Sequence, residues 1–211
     1  MKDIIRLCFS LGAVCFCGAA ALVYVNAKTL VPRQQAQQAT LTKSLSLVLP
    51  AETSDTKTLA VAAEDGLSFF LASDAAGQPL AVAGQGSTRT GFGGEVVVLV
   101  GLERDGRIRG VMVTKHSETP GLGTKATDRK QLKSLWAVLA GKDEEVAFPP
   151  NDYLDAYSGR QAGEFVLGSG SAEKRIDGVS GATISSKAVL AAVNRVCDAY
   201  NKNRDAIWAA Q

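Results

Sequence analysis

The sequence predicts an α+β domain that follows a single N-terminal membrane-spanning helix. Three features lead to this prediction: an uncharged apolar run at the N-terminus, paired β-branched runs in the centre, and an amphipathic segment near the C-terminus. The predicted strands are grouped, and the helices are interspersed among them without strict alternation, which favours α+β over α/β. We therefore expect a mixed, largely antiparallel sheet with helices packed against it.

The N-terminal run from Leu7 to Val25 holds nineteen residues without a charge. A membrane-spanning helix needs ~20 such residues. A cleaved signal peptide is the alternative, and residues 25–27 form an acceptable cleavage site, but the apolar part of a signal peptide usually has only ~7–15 residues. The sequence therefore predicts a cytoplasmic N-terminus over 1–6 and a transmembrane anchor over 7–26.

A helical stalk and a polar connection are predicted over 27–58. Residues 33–48 are rich in Gln and Ala, with apolar residues at near-helical spacing, and 50–57 are polar. The globular domain is then predicted over 59–203, with a C-terminal tail over 204–211.

The central β-hairpin has the clearest strand signal. Two β-branched runs, 95–103 and 107–116, flank Asp105-Gly106, and Asp-Gly between such runs is a strong hairpin signal. Shorter strands are predicted at 67–72, 79–86, 165–170 and 175–179.

Two helices are predicted in the domain. Residues 127–142 repeat apolar residues at helical spacing, with Asp128 near the start and Gly141 at the end. The last helix is predicted from Lys187 to about Asn203, with one apolar face.

Composition excludes several classes of function. The net charge is +2 and no Lys/Arg cluster is interleaved with aromatic residues, so no nucleic-acid partner is expected. Three of the four cysteines lie in the N-terminal apolar run and Cys197 stands alone, without the spacing of a zinc or iron–sulfur site. The sequence predicts no metal site and no catalytic acid–base pair.

The segment DGVSGATISS (177–186) directly precedes the last helix. A helix N-terminus offers unpaired N–H groups and a partial positive charge of about 0.5. Thr183 or Ser185 can cap this helix, Gly181 leaves its approach open, and Lys187 adds a positive charge. The pattern fits a phosphate-sized anion site, and it equally fits a simple helix cap.

Two further loops are unusual in composition. KHSETPGLGTK (115–125) contains one proline and two glycines, so it forms a shaped loop at a strand end. TRTGFGGEV (88–96) is glycine-rich before a strand. His116 is the only histidine in the chain and has no evident nucleophile as a partner, which disfavours a hydrolase.

Taken together, these motifs resemble a known family. The order GFGG, hairpin, HSETPGLG, IDGVSGATISS and helix, behind one anchor, resembles the FMN-binding domain found in the G subunit of the Rnf electron-transport complex. It is also similar to the C subunit of the sodium-pumping NADH:quinone oxidoreductase. The resemblance runs from about Gly91 to Val196 and is closer to the Rnf protein, because the chain is short.

The resemblance implies that FMN is bound covalently. In that family the threonine of the D-x-x-S-G-A-T motif carries FMN through a phosphoester, and Thr183 occupies this position here. The residues expected to contact the cofactor are Glu118, Thr119, Gly121, Leu122, Gly123, Asp177, Ser180, Gly181, Ala182 and Ser185.

The resemblance further implies an electron-transfer subunit of an ion-translocating ferredoxin:NAD⁺ oxidoreductase. Its partners would be the integral-membrane and iron–sulfur subunits of that complex, and a flavin transferase during maturation. The chain would cross the inner membrane once, with a cytoplasmic N-terminus and a periplasmic FMN domain. The equivalent protein of the quinone reductase and a non-redox anchored binding module remain the alternatives at this point.

Overall fold

The chain begins with one long helix, α1, over Lys2–Val48, which contains Pro32. Its segment Ile4–Leu30 has 27 residues with a mean hydropathy of 2.1 and is exposed in the protein. Within the part of the chain that the structure describes, this is the one helix long and apolar enough to cross a membrane.

The structure, a computed structural model, describes residues 2–59, 66–129 and 148–209. These residues belong to two compact units, Met1–Thr42 and Lys43–Gln211. The first unit holds the apolar part of α1. The second holds the end of α1 and all the strands.

The second unit is built on a five-stranded antiparallel sheet, in which the strands lie in the same order as in the sequence. Its strands are β1 (Asp55–Leu59), β2 (Leu67–Ser73), β3 (Pro79–Gly91), β4 (Gly94–Glu103) and β5 (Ile108–Lys115). The predicted α+β class is therefore confirmed. The edge strand β1 was not among the predicted strands.

The two hairpins around β4 set the positions of the functional loops. Gly106 has a φ of +88° in the predicted Asp-Gly turn between β4 and β5, a conformation that glycine adopts without steric cost. At the other end of β4, Gly91 pairs with Gly94 across the tight tip of the β3–β4 hairpin. Strands β3 and β5 run in the same direction and therefore end at the same end of the sheet.

Within the residues that the structure describes, the rest of the unit consists of short elements and one long helix. They are α2 (Thr124–Thr127), α3 (Asp152–Asp155), the parallel pair β6 (Val166–Leu167) and β7 (Arg175–Ile176), and α4 (Thr183–Ala209). The helix predicted over 127–142 lies outside the described residues from residue 130 onward. Asp128, expected near its start, is extended, with φ −94° and ψ 129°.

Helix α4 is longer than predicted at both ends. It starts four residues before Lys187 and runs six residues beyond Asn203. At the start, the N–H of Ser186 donates to the carbonyl of Ala182 at 2.8 Å, so the hydroxyl-rich residues form the first turn of the helix. Their polarity resembles that of a capping segment, which is why the predicted start was wrong.

The core lies between α4 and one face of the sheet, where α4 packs chiefly on β3 and β4. Two glycines of β3 allow this close approach. A Cβ atom at Gly84 would overlap Cγ1 of Val196, and one at Gly86 would lie 2.6 Å from Cγ2 of the same side chain. The helix therefore sits directly on the backbone of β3.

Candidate functional site

A cavity of about 310 Å³ opens beside the first turn of α4. Three segments form its walls: the tip of the β3–β4 hairpin, the loop after β5, and the residues around the start of α4. The lining residues are Phe92, Glu118, Thr119, Leu122, Gly123, Gly181, Ala182, Thr183, Ile184 and Ser185.

Thr183 is the first residue of α4 and is exposed at the cavity wall. The backbone before it is shaped by Gly181, whose φ is +78°, and Ala182 is buried behind it. The first N–H groups of a helix have no carbonyl partner within the helix, and the positive end of the helix dipole lies at the same place. Thr183 is therefore an exposed residue at a position where a phosphate is favoured.

The loop after β5 is folded tightly beside this helix start. Gly121 has a φ of +79°, and its N–H donates to Oγ1 of Thr124 at 2.9 Å. The N–H of Leu122 donates to the carbonyl of Thr119 at 3.2 Å. These bonds hold the Leu122 side chain outward, 52% exposed, at the cavity.

Three large apolar side chains surround the cavity while remaining exposed. Phe92 at the hairpin tip is 69% exposed, Leu122 is 52% exposed and Ile184 is 50% exposed. Each comes from a different wall of the cavity. Clustered exposed apolar side chains commonly mark a binding site, and this arrangement suits a flat aromatic ligand.

Glu118 lies deep in the cavity wall and is 5% exposed. Its Oε2 accepts a hydrogen bond from the Ser185 hydroxyl at 2.5 Å, and its Oε1 accepts one from the Gly93 N–H at 3.4 Å. Ser185 therefore donates to a carboxylate and does not cap the helix, which corrects one of the two predicted capping residues.

His116 stabilises the loop after β5 through both of its ring nitrogens. Its Nε2 lies 2.7 Å from Oδ1 of Asp128, and its Nδ1 accepts a hydrogen bond from the backbone N–H of Glu118 at 3.3 Å. Both ring nitrogens are thus engaged in holding backbone and side chains in place. These contacts give His116 a structural role.

The comparison with known proteins now decides the family. The family model described as the FMN-binding domain matches residues 91–198, which include the hairpin tip, the loop and the start of α4. The chain belongs to the FMN-binding domain family. This confirms the resemblance proposed from the motifs.

Individual relatives are similar over most of the chain. The ion-translocating oxidoreductase complex G subunit of Vibrio atlanticus is 31% identical over 93% of this chain and 90% of that protein. The protein of the same name from Pseudoalteromonas atlantica is 27% identical over 100% of this chain and 94% of that protein. The crystal structure of Shewanella oneidensis NqrC superposes with a TM-score of 0.48 at 20% identity, covering 76% of this chain and 73% of that one.

The structure brings most of the predicted FMN contacts together. The predicted residues that line the cavity are Glu118, Thr119, Leu122, Gly123, Gly181, Ala182, Thr183 and Ser185. Gly121, Asp177 and Ser180 are not among the lining residues. The Asp177 carboxylate instead accepts from Nη2 and Nε of Arg175, at 2.8 and 2.9 Å.

Two lining residues were missed by the sequence-based prediction. Phe92 lies between glycines in a stretch that alone is common in loops, and Ile184 lies inside the motif next to Thr183. In both cases, a large apolar residue within a polar, glycine-rich segment was the feature of the sequence that could have indicated a cavity-lining residue. Both side chains are at least half exposed, which a core residue would not be.

The residues present fit FMN. Thr183 is exposed, the first-turn amides of α4 suit the FMN phosphate, and the apolar side chains around the cavity suit the FMN ring system. Within the described ranges, no group of three or more His, Cys, Asp or Glu side chains could hold a metal ion.

Proposed function

We propose that this protein carries electrons as the FMN-bearing subunit of an ion-translocating ferredoxin:NAD⁺ oxidoreductase complex, with FMN joined to Thr183 by a phosphoester. Membership of the FMN-binding domain family supports the flavin, and the similarity to G subunits of ion-translocating oxidoreductases over almost the whole chain supports the type of complex. The observation that supports this attachment site is that Thr183, an exposed residue with a hydroxyl group, is the first residue of α4 and lines the cavity.

The proposed attachment is a phosphoryl exchange with FAD as the donor. The Thr183 hydroxyl oxygen forms a bond to the phosphorus of the FMN half, and the phosphoanhydride bond of FAD breaks. AMP leaves, and the hydroxyl proton passes to a base of the flavin transferase. Gly181, two residues before Thr183, leaves room for that enzyme, because among the described residues a Cβ there would find only Leu122 within 4 Å.

The chain's own residues hold and orient the cofactor. The first-turn N–H groups of α4 face the phosphate position, and Lys187, exposed and one turn after Thr183, lies on the same side of the helix. Phe92, Leu122 and Ile184, which line the cavity, would shield the ring from water. When bound, FMN supplies the electron-carrying chemistry, and the protein supplies attachment, orientation and electrostatics.

Membrane anchoring and sidedness follow from the same proposal. The segment Ile4–Leu30 is long enough to span the hydrocarbon core. We infer a cytoplasmic N-terminus and an FMN domain on the periplasmic side, where the flavin transferase of the family acts. The integral-membrane and iron–sulfur subunits of the complex are the proposed partners.

The test is a Thr183→Val variant, expressed with the flavin transferase and measured by mass over the 177–187 peptide. The wild-type peptide is expected to gain the mass of FMN less one water and the variant to gain nothing, because valine has no hydroxyl. In-gel flavin fluorescence after denaturation should be lost in parallel.

The matched control is Thr90→Val, which removes an exposed threonine hydroxyl of β3 that is not among the cavity-lining residues. It is expected to retain full modification. A transferase that lacks its export signal should leave the wild type unmodified if the domain lies outside. Denaturation-resistant flavin in Thr183→Val would exclude the proposed attachment site, and co-purification with the proteins of another complex would exclude the proposed partners.

A further inference from the structure

One buried carboxylate connects all three walls of the cavity. Glu118 belongs to the loop after β5, its Oε2 accepts from Ser185 in the first turn of α4, and its Oε1 accepts from the N–H of Gly93 at the hairpin tip. The side chain is 5% exposed. Each wall carries one of the exposed apolar side chains, so this carboxylate fixes their relative positions.

The surrounding backbone is shaped to admit this carboxylate. A Cβ atom at Gly91 would lie 2.6 Å from Oε1 of Glu118, and one at Gly123 would lie 2.6 Å from Oε2 and 2.7 Å from the Ser185 hydroxyl. Contacts this short are not tolerated in a close-packed interior without a shift of the neighbours. Two glycines on opposite sides of one carboxylate therefore point to a specific role for Glu118.

The charge of this group also matters. Both oxygens serve as hydrogen-bond acceptors, the pattern of an ionised carboxylate. The positive end of the α4 dipole stabilises a negative charge at this place. Glu118 thus presents a fixed negative charge in the wall of a cavity whose other lining residues are uncharged. At low dielectric such a charge acts strongly on nearby groups.

We propose that Glu118 is a positioning residue that ties the three cavity walls together and lowers the reduction potential of the flavin held at Thr183. This inference rests on the proposed function. A carboxylate is a poor contact for the flavin phosphate because like charges repel, so the role of Glu118 is to hold Ser185 and Gly93 in place and to set the local field. Its negative charge makes the addition of electrons to the neighbouring flavin less favourable.

The experiment compares Glu118→Gln and Glu118→Ala in the full-length, flavin-bearing chain in detergent. The flavin midpoint potential is measured by redox titration and flavin mobility by fluorescence anisotropy. Both variants lose the negative charge and are expected to shift the potential upward. Only Glu118→Ala loses the connection between the walls, so only it is expected to lower the anisotropy, whereas Gln keeps an acceptor for Ser185.

Glu95→Gln is the matched control. Glu95 lies on β4, next to the same hairpin tip, but its carboxylate is paired with Lys115 at 2.7 Å on the surface. Removing this charge is expected to leave both readouts at the wild-type value. An unchanged potential in Glu118→Gln, with flavin attached, would overturn the electrostatic role, and unchanged anisotropy in Glu118→Ala would overturn the positioning role.

Flavin-free protein separates this inference from the proposed function. In a Thr183→Val background, Glu118→Ala is expected to lower the Tm, because Ser185 and Gly93 lose their buried acceptor. An unchanged Tm would overturn the structural tie whether or not flavin attaches. A wild-type chain without flavin would instead overturn the proposed function, and the electrostatic role with it.

Discussion

At the scale of single residues, the site depends on glycines that remove steric bulk. Gly93 at the hairpin tip is packed so closely on the loop after β5 that a Cβ atom there would overlap the carbonyl oxygen of Ser117 and lie 3.0 Å from the N–H nitrogen of Glu118. Both neighbours are backbone atoms, which cannot rotate away as a side chain can. The close approach of the hairpin tip to the loop is therefore possible only because Gly93 has no side chain.

We predict that Gly93→Ala lowers stability and flavin attachment together. Overpacking of this kind costs about 2 kcal/mol, which corresponds to a Tm about 5 °C lower for a domain of this size. The displaced loop should also reduce FMN incorporation at Thr183. The measurements are the Tm of the full-length chain in detergent and the modified fraction by mass.

Gly163→Ala is the comparison for this variant. The nearest atom to a Cβ there is the Gln161 carbonyl oxygen at 3.8 Å, an ordinary contact. Its Tm is expected to match the wild type within about 1 °C. Equal behaviour of the two alanine variants would contradict the close-packing argument.

The contacts of individual residues were only partly predictable from the sequence. The position of Thr183 at the cavity could be predicted because its motif is local. The Glu118–Ser185 bond joins residues 67 positions apart, and no local pattern predicts such a pair. Ser185 was consequently interpreted as a helix cap, the commoner use of a serine near a helix start.

At the scale of elements, one buried guanidinium joins β5 to α3. The Arg129 side chain is 3% exposed and donates twice to the carbonyl of Val111, and it also donates to the carbonyl of Pro149 and to Asp155. Its guanidinium lies 3.8 Å from the centre of the Phe148 ring. Burial lowers the pKa of Arg129, and Asp155 opposes this by favouring the charged form.

We predict that Arg129→Met destabilises the domain by about 3 kcal/mol, since it leaves buried carbonyls without donors. The expected loss in Tm is about 10 °C. Arg109→Met is the control, because its 3.7 Å pair with Glu103 is about half exposed and such pairs contribute at most ~1 kcal/mol. Similar Tm losses in the two variants would argue against a special role for Arg129. Thermal unfolding of the full-length chain supplies the data.

Elements were predictable where the local signal was strong. The β4–β5 hairpin follows from Asp105-Gly106 between two β-branched runs, and the structure has that turn. Strand β1 is polar and largely exposed, so no alternation marks it, and its pairing with β2 makes it a strand. Helix starts are ambiguous for the same reason as at α4, because serine and threonine occur both in caps and in first turns.

At the scale of the whole molecule, the core around α4 contains ionisable groups that are buried without charge. Burial raises the pKa of the Cys197 thiol to about 12 and that of Tyr153 to about 12. Burial also raises the pKa of Tyr157, whose hydroxyl lies 3.0 Å from that of Tyr153. Each of these groups is tolerated in the folded core only in its protonated, uncharged form, so its loss of a proton favours unfolding.

These shifts predict loss of stability in alkaline solution. The unfolded chain releases the Cys197 proton near its ordinary value of 9.0 and the tyrosine protons near 10.0, whereas the folded chain holds those of Cys197 and Tyr153 to about 12. The contribution of these groups is therefore fully present below pH 9 and is lost as pH rises toward 12. Each group accounts for a slope of up to ~1.4 kcal/mol per pH unit.

The measurement is the Tm of the flavin-free Thr183→Val chain between pH 8 and 12. The wild-type core should lose stability from about pH 9 onward. Cys197→Ala should delay the onset toward pH 10, where the tyrosines begin to ionise in the unfolded chain, and Tyr157→Phe should reduce the slope above it. A Tm that is constant from pH 9 to 11 would contradict the prediction.

The two glycines of β3 that contact α4 affect where the proposed flavin would lie. Val196 rests on Gly84 and Gly86, thirteen residues from Thr183 along one helix, a lever arm of roughly 20 Å. A tilt of about 5° at that pivot would move the Thr183 hydroxyl oxygen by about 2 Å. If FMN is attached to Thr183 as proposed, its position would depend on the packing of Val196 against two glycines that are not among the cavity-lining residues.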